Sequence, residues 1–494
     1  MRAGGETHEV SNGIEFFLFG TSLKHSAIGG MLVLRTGSGK RSAPAQKFSQ
    51  KGEPVIMLRN ILAFAISVAF TLIAFGSRSW AQSGPTFVQL GRAKGALYKP
   101  ESGPEPHVGI IVMHREANYL NHVACGEFAK RGFVVLCMNS RFENSESSVR
   151  WELIPLDVSE GVNHLKKQLG AGAKIILYGH SGGGVTMSFY QAVAERGPAV
   201  CQGPNKLVQC GNELKGLAPA HGIILSDGHP GNPILRLRSV NPATSDMRGG
   251  RADPKLDPFA ANNGFNPNGS SRYSELFKKN YFAAQSARMN RLIDIALGQL
   301  QRIETGKDIY TDDGPFNIPG FDNARLLSLD SSIRHTTLQP EKLLKNDGTV
   351  VKQVVESIAP SRPELARLNR TFSEGARGGL TVRSFLSSNA IRSTNSMDEK
   401  QIDLCSSNNS TPCMVQSVSI PLLAVAHQAS FQNLLQEVEI NYLNSKSADK
   451  DFIVVEGSMT SIGACTNCAI AATEYANARK NFFDYTAKWL NDRF

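Results

Sequence analysis

A serine set among glycines is the feature of the sequence that most directly indicates chemistry. The segment reads Lys174-Ile-Ile-Leu-Tyr-Gly179-His180-Ser181-Gly182-Gly183-Gly184. A buried strand is predicted before it and an amphipathic helix after it, so Ser181 stands on a sharp strand-to-helix turn whose crowded flanks admit only glycine. The start of the helix also favours negative charge that develops beside the serine. The pattern predicts a serine nucleophile above a sheet edge; a plain glycine-rich helix start is the alternative.

A serine nucleophile needs a base, and the base needs an orienting acid. Asp227 and His427 stand at the carboxyl ends of two predicted strands, at the sheet edge where Ser181 also lies. They are the candidate acid and base, and His229 is a substitute base. The alternatives are that Asp227 only caps a turn and that His427 is hydrogen-bonded to the backbone.

The cysteines offer no clear metal site. Cys465-Thr466-Asn467-Cys468 has the spacing of a redox dithiol or of half a zinc site, but no second such pair and no histidine pair completes it. A structural role is favoured. We expect neither a metal nor an organic cofactor.

Short apolar runs alternate with helical patterns along the chain. Each run is four to six residues long and nearly continuous, as in strands that are buried on both faces. The runs are Val108–Met113, Phe133–Met138, Lys174–Tyr178, Gly222–Leu225, Leu422–Ala426 and Phe452–Val455. Helical periodicity lies between them, and Gly170 and Gly197 are placed to end two of the helices. The sequence predicts an α/β fold, a mostly parallel sheet flanked by helices.

The alternation stops between Pro230 and Ser419. This stretch opens with an irregular loop at Asn241–Ser271, followed by a predicted long helix at Tyr273–Glu304 and a shorter one near Gly348–Ile358. We interpret 231–419 as a large, largely helical cap inserted between two parts of one core, 82–230 and 420–494. A separate domain is the alternative. The return to a strand at Leu422 favours an insertion, because the first part lacks the strands to complete its own sheet.

At these residues the chain resembles the α/β-hydrolase superfamily, and in particular its secreted bacterial members with a large cap. The resemblance covers about residues 85–230 and 420–494. Besides the glycine-flanked serine it rests on His114-Arg115-Glu116, Arg131-Gly132-Phe133 and Ile420-Pro421-Leu422-Leu423. It implies that Ser181 attacks an acyl carbonyl of a small ester-type substrate and forms an acyl-enzyme.

The same resemblance implies roles for the residues around the serine. The N–H of Gly182 and an N–H near Arg115 would form the oxyanion hole. His114 would order the oxyanion loop or bind substrate, His229 would bind substrate, and His180 would face away beside the serine. His335, in the cap, is a further candidate substrate ligand.

The remainder of the triad departs from the family pattern. The family order is Ser, acid, His, with the histidine in a loop after the last strand. Here Thr460 occupies that loop, no histidine follows His427, and Ala426-His427-Gln428-Ala429-Ser430 offers no acid in its usual loop. Either the triad is rearranged around Asp227 and His427, or the chain is a catalytically inactive binding protein. Threonine cannot take a proton from serine at neutral pH, which keeps the second hypothesis open.

An export signal is predicted well inside the chain. Met57–Asn60 is a short positive lead-in, Ile61–Phe75 is apolar and uncharged, and Ser79 and Ala81 fit a small-x-small cleavage site. We therefore predict a signal peptide at 57–81, a mis-assigned upstream extension at 1–56, and a secreted or periplasmic product. A membrane anchor is the alternative, but about fifteen apolar residues fall short of the ~20 that a span requires.

Composition excludes several other classes. The chain has 494 residues, 41% hydrophobic and 8% aromatic, which argues against disorder, collagen-like repeats and a polytopic membrane protein. The net charge of +10 falls to +5 in residues 82–494, where 44 Lys and Arg face 39 Asp and Glu. That balance requires no nucleic acid, and no membrane association is expected after cleavage. The oligomeric state is left open.

Eight cysteines follow the predicted cleavage site, and an even set in an exported protein indicates disulfides. Cys201 with Cys210, and Cys405 with Cys413, are the closest loop-spanning pairs. The full pairing is not deducible from spacing.

Overall fold

The computed structural model describes residues 84–244, 253–322, 324–368, 379–471 and 473–494. The predicted signal peptide at 57–81 and the extension at 1–56 lie outside the described residues, as does part of the loop predicted at Asn241–Ser271. Within the described ranges, no helix is both long and apolar enough to cross a bilayer.

The described residues form one ten-stranded sheet and one separate two-stranded pair. The strands are β1 (Thr86–Leu90), β2 (Ala93–Tyr98), β3 (Val108–His114), β4 (Val134–Asn139), β5 (Lys174–His180), β6 (Gly222–Ser226), β7 (Pro315–Phe316), β8 (Glu341–Leu344), β9 (Val350–Gln353), β10 (Leu380–Thr381), β11 (Leu422–His427) and β12 (Lys450–Val455). The order in the large sheet is β1-β2-β4-β3-β5-β6-β11-β12-β8-β9. Every neighbouring pair from β4 to β8 in that order is parallel, and only the outer pairs are antiparallel. The predicted mostly parallel sheet is confirmed, and all six predicted strands are present.

Helices cover both faces of this sheet. The helices of the described residues are α1 (Val123–Ala129), α2 (Ile154–Leu169), α3 (Gly182–Arg196), α4 (Asn232–Ser239), α5 (Glu275–Glu304), α6 (Leu326–Leu329), α7 (Leu365–Leu368), α8 (Val382–Ser388), α9 (Thr411–Met414), α10 (Leu435–Asn444) and α11 (Ala478–Asn491). Alternate residues of β3 enter two separate cores: Ile111 packs with α2, α3 and α10, and Ile110 packs with α1 and α11. This two-sided burial explains why the strands are continuously apolar.

Residues 231–419 contain the helices α4 to α9 and the strands β7 to β10. The predicted long helix is confirmed as α5, which has its own apolar core with α4 and α8. The helix predicted near Gly348–Ile358 is wrong, because Val350–Gln353 is the strand β9. It forms a hairpin with β8, and Gly348 takes the positive φ of 89° that the turn requires. β8 in turn pairs in parallel with β12, so this part of the insertion extends the main sheet.

All eight cysteines are paired, and the described residues contain no free cysteine. The bonds join Cys125 to Cys137, Cys201 to Cys210, Cys405 to Cys413, and Cys465 to Cys468. The two pairs predicted from sequence proximity are confirmed, and the Cys-x-x-Cys segment is a disulfide in the loop that follows Thr460.

Candidate active site

Ser181 lies on a strained turn between β5 and α3. Its φ of 53° and ψ of −121° are uncommon for a residue with a side chain, and such a conformation costs about 1–3 kcal/mol. The backbone is crowded on both sides: a Cβ on Gly183 would lie 2.6 Å from the Met113 carbonyl oxygen, and one on Gly184 would lie 2.9 Å from Gly228. Only glycine lets these backbones approach so closely. The glycines at 183 and 184 and the strained conformation of Ser181 are therefore both consequences of the same sharp turn.

The serine opens into a cavity of about 500 Å³ at the carboxyl edge of the sheet. That volume is in the range of small-molecule sites. From the core, the cavity is lined by Ser181, His114, Arg115, His229 and Thr460, among others. From the insertion it is lined by α4 and the segments around α6 and α7, which contribute Leu235, Arg236, Arg325, Arg362 and Leu365. The insertion therefore forms one wall of the cavity.

Gly182 is the first residue of α3, so its N–H has no partner inside the helix. Three side-chain nitrogens surround this residue. A Cβ at Gly182 would lie 2.5 Å from His114 Nε2, 3.0 Å from His229 Nε2 and closer still to Arg115 Nη1. The structure thus brings Ser181, Gly182, Arg115, His114 and His229 together. The site presents several hydrogen-bond donors beside the serine, as an oxyanion hole requires.

The His114 imidazole is paired with a carboxylate. Its Nδ1 lies 2.5 Å from Glu116 Oε2, and its Nε2 lies 3.3 Å from Arg115 Nη1. Burial lowers the pKa of His114, and the neighbouring Glu116 carboxylate opposes that shift. The ring is therefore neutral at pH 7, and its Nδ1 also lies within hydrogen-bond distance of two backbone N–H donors, those of Ala117 at 3.1 Å and Glu116 at 3.3 Å.

Asp227 is fully buried and directly follows β6, where its φ is 47°. Its Oδ2 accepts hydrogen bonds from Ser430 Oγ at 3.0 Å and from Asn433 Nδ2 at 3.2 Å. Ser430 Oγ also lies 2.6 Å from Thr460 Oγ1. Burial raises the pKa of Asp227 to about 7, although hydrogen bonds from Asn433, Ser430 and Thr460 oppose this rise. The acid candidate is thus connected to the threonine that stands in the histidine's place.

His427 is not among the residues that line the cavity. Its ring is fully buried, with Nδ1 2.7 Å from Ser458 Oγ and Nε2 3.3 Å from Ser226 Oγ. Burial lowers the pKa of His427 to about 3. The sequence placed the residue correctly at the carboxyl end of a strand, but the alternation of side chains along β11 directs it into the core beside Phe482. The structure therefore does not bring His427 to Ser181.

The other histidines near the serine are held by defined partners. His229 Nδ1 accepts a hydrogen bond of 2.9 Å from the Gly231 N–H. His180 Nε2 lies 2.6 Å from the Thr460 carbonyl oxygen, which can only accept, so Nε2 carries the proton. Burial lowers the pKa of His180 to about 4, and burial also holds the pKa of His229 well below its ordinary value. Both rings line the cavity as neutral groups.

Paired charges join the insertion to the core at the cavity. Glu146 lies 3.0 Å from Arg115 and 3.4 Å from Arg236 of α4, and Arg236 also pairs with Asp322 at 2.6 Å. Sequence reasoning missed Glu116, Glu146 and the arginines of the insertion. The one available signal was the spacing His114-x-Glu116 directly after a strand, which places both side chains on one loop. Within the described residues, no cluster of three or more potential ligands could hold a metal.

A helix-covered, mostly parallel sheet with a serine on a strand-to-helix turn defines an α/β-hydrolase-like fold. No protein-family model matches the chain, and no curated protein matches it. Solved structures do resemble it, with low identity and low TM-scores.

Three of these structures illustrate the resemblance. Est1E from Butyrivibrio proteoclasticus is 9% identical with a TM-score of 0.35, and the match covers 83% of this chain and 99% of that chain. The siderophore hydrolase EstB from Aspergillus fumigatus is 11% identical with a TM-score of 0.39, covering 84% and 100%. A monoacylglycerol lipase from Paleococcus ferrophilus is 13% identical with a TM-score of 0.32, covering 81% and 98%.

Proposed function

We propose that this chain is a secreted or periplasmic serine hydrolase that cleaves a small ester-type acyl substrate through an acyl-enzyme on Ser181. One observation carries the proposal: a strained serine at the end of β5 opens into a cavity of about 500 Å³ beside the free N–H of a helix start. Strain of this kind is kept where the surrounding structure enforces it for function. The four disulfides support an oxidising compartment.

The reaction would proceed in two halves. The Ser181 oxygen attacks the acyl carbon, its proton leaves to a base, and the carbonyl electrons move onto oxygen. The Gly182 N–H, at the positive end of α3, stabilises that oxyanion together with an N–H near Arg115. The C–O bond to the alcohol then breaks as the base returns the proton to the leaving oxygen. Water repeats the sequence on the acyl-enzyme and releases the acid. The insertion acts as a cap that shapes the acyl or alcohol side of the pocket.

A non-catalytic binding protein is the second candidate function. The observation that favours it is Thr460, whose hydroxyl lies 2.6 Å from Ser430 Oγ in the loop where the family carries its histidine. Loss of a triad base typically lowers the rate by several orders of magnitude. On this alternative the same cavity would bind a small acyl compound without turnover.

Labelling with a fluorophosphonate separates the two candidates. The exported protein is treated with the probe and its intact mass is read, with Ser181→Ala as the test variant. Ser461→Ala, which removes an exposed serine close to Thr460, is the matched control. A hydrolase gives one adduct that is lost in Ser181→Ala and kept in Ser461→Ala. A folded sample without any adduct rejects the hydrolase proposal and leaves the binding function.

A further inference from the structure

Arginine supplies most of the charge that lines the cavity beside Ser181. The charged residues of the lining are four arginines and two carboxylates, namely Arg115, Arg236, Arg325, Arg362, Glu116 and Asp322. Three neutral imidazoles also line it, because burial lowers the pKa of His114, His180 and His229. The lining therefore carries more positive than negative charge, and a molecule that enters the cavity meets a surplus of guanidinium groups.

Three of the four arginines are held by carboxylates that are themselves largely buried. Arg115 and Arg236 both pair with Glu146, at 3.0 Å and 3.4 Å. Arg325 pairs with Glu437, whose side chain is fully buried. Breaking a buried ion pair leaves an uncompensated charge and is costly, so these arginines are not free to turn toward a ligand. Their role is to fix the wall of the cavity.

Arg362 differs from the other three in what its guanidinium contacts. Its Nε donates to Glu364 Oε1 at 2.8 Å, and the Glu364 side chain is half exposed, so solvent screens this pair. The terminal nitrogens of Arg362, Nη1 and Nη2, make no hydrogen bond to any residue that the structure describes. Two parallel N–H groups at the end of a guanidinium match the two oxygens of a carboxylate.

The Arg362 guanidinium is also held in place from the protein side. The Arg362 backbone N–H donates to the Ser328 carbonyl oxygen at 2.7 Å, and the guanidinium carbon lies 4.6 Å from the centre of the Phe431 ring. Ser328 and Phe431 line the same cavity as Arg362. Stacking on an aromatic face leaves the edge of the guanidinium open to a ligand. A side chain that is already positioned loses less conformational entropy when it binds.

The remainder of the lining suits a small apolar body. Leu235, Leu365 and Phe431 contribute apolar side chains to the cavity of about 500 Å³. A cavity of that size accepts a small molecule such as one with a single aromatic ring or a short aliphatic chain. Because Ser181 and Arg362 line the same cavity, one molecule can place an ester at the serine and an anionic end at the arginine.

We propose that the substrate is an ester whose acyl or alcohol part ends in a carboxylate, and that Arg362 is the specificity-determining residue that binds this carboxylate. This inference rests on the proposed function. The carboxylate accepts hydrogen bonds from Nη1 and Nη2, while Glu364 stays on Nε. A single negative charge suits the site better than a doubly charged phosphate, because only one guanidinium is open and the others are already paired.

Two pairs of esters whose members differ in charge test the proposal on the full exported protein. The first pair, 4-acetoxybenzoate and 4-acetoxybenzamide, places the carboxylate on the alcohol side. The second pair, mono-p-nitrophenyl adipate and p-nitrophenyl adipamate, places it on the acyl side. In at least one pair, kcat/KM for the carboxylate should exceed that for the amide by about tenfold, as expected for a charge-assisted hydrogen bond at a partly exposed site. High salt should reduce this preference, because ions screen exposed charges.

Substitutions of Arg362 show whether the preference comes from its guanidinium. Arg362→Gln should bring the two values of kcat/KM in that pair close together, chiefly through a higher KM for the carboxylate ester. Arg362→Lys should retain part of the preference, since the charge remains while the paired N–H groups are lost. Arg367→Gln removes an exposed arginine of α7 that does not line the cavity, and this matched control should keep the parent's ratio. A merely structural role for Arg362 would lower both esters equally.

The outcomes separate the carboxylate site from the proposed function. Hydrolysis that depends on Ser181 but shows no preference for a carboxylate, or a preference that survives in Arg362→Gln, overturns the carboxylate site alone. If no ester is hydrolysed, the proposed function fails. Calorimetric binding of 4-acetamidobenzoate, in which an amide replaces the ester, then tests the site by itself. Binding that is about tenfold weaker in Arg362→Gln supports the site, and an absence of binding overturns it.

Discussion

Replacing Asp227 by asparagine tests whether the buried carboxyl is held neutral. Asp227 is fully buried, and burial raises its pKa from 3.8 to about 7 in the folded state. Below pH 3.8 both states are protonated, and the group adds no pH dependence. As the pH rises from 3.8 to 7, the unfolded chain releases a proton that the folded chain retains, so the free energy of unfolding falls. Above pH 7 the full loss is reached.

The size of the loss in the free energy of unfolding follows from the shift in the pKa of Asp227. A difference of about three pH units, at about 1.36 kcal/mol each, amounts to about 4 kcal/mol between pH 4 and pH 8. Asparagine keeps an oxygen that can accept from Ser430 and Asn433, and it does not titrate. We expect Asp227→Asn and the parent chain to differ by a constant amount at low pH. By pH 8 the variant should have gained about 4 kcal/mol relative to the parent.

Urea unfolding at pH 4, 5, 6, 7 and 8, with the disulfides intact, measures this difference. Replacing the carboxyl by an amide also changes the free energy of unfolding by an amount that does not depend on pH. That amount cancels when the stability of each protein at one pH is subtracted from its stability at another. Parallel pH profiles for the two proteins would refute the reasoning, because they would mean that Asp227 is ionised in the folded protein. A charged Asp227 would in turn favour a role for it as the acid of a rearranged triad.

Two further substitutions test the charges and the packing around the cavity. Although burial alone would raise it, Arg325 and Arg238 help to lower the pKa of Glu437 to about 2. Glu437→Gln should therefore lower the free energy of unfolding by about 3–5 kcal/mol at pH 7. The loss should become smaller as the pH falls from 4.5 toward 2, which is the opposite trend to Asp227→Asn. Urea unfolding at pH 7 and 3.5 measures this loss, and an equal loss at both pH values would contradict the prediction. Gly182→Ala should lower the free energy of unfolding by about 1–3 kcal/mol and kcat/KM by more than 100-fold, because the added Cβ would displace Arg115. Thermal unfolding measures the first effect and ester hydrolysis the second. An unchanged rate of hydrolysis would argue against a tightly packed site.

Local sequence patterns were sufficient to predict the interior strands of the sheet and the turn at Ser181. A strand that is buried on both faces has a continuous apolar sequence. A turn whose backbone admits only glycine requires glycines at fixed positions, and these can be recognised in the sequence. The hairpin at β8 and β9 was not recoverable in the same way. Val350, Val351, Val354 and Val355 fit a helical spacing, and pairing with a distant strand, here β12, overrides local preference.

The site residues also fall into those that the sequence predicts and those that depend on tertiary contacts. The sequence identified Ser181 and the carboxyl ends of the strands that surround it, because strand ends share one edge in a parallel sheet. It could not tell which side chains at that edge enter the cavity, since direction depends on register and on the packing of the loops. Three-dimensional packing turned His427 into the core, linked Asp227 to Thr460 through Ser430, and set His114 against Glu116 beside the serine. The candidate nucleophile can be predicted from residue type and order, whereas the side chains that surround it depend on contacts between segments far apart in the chain.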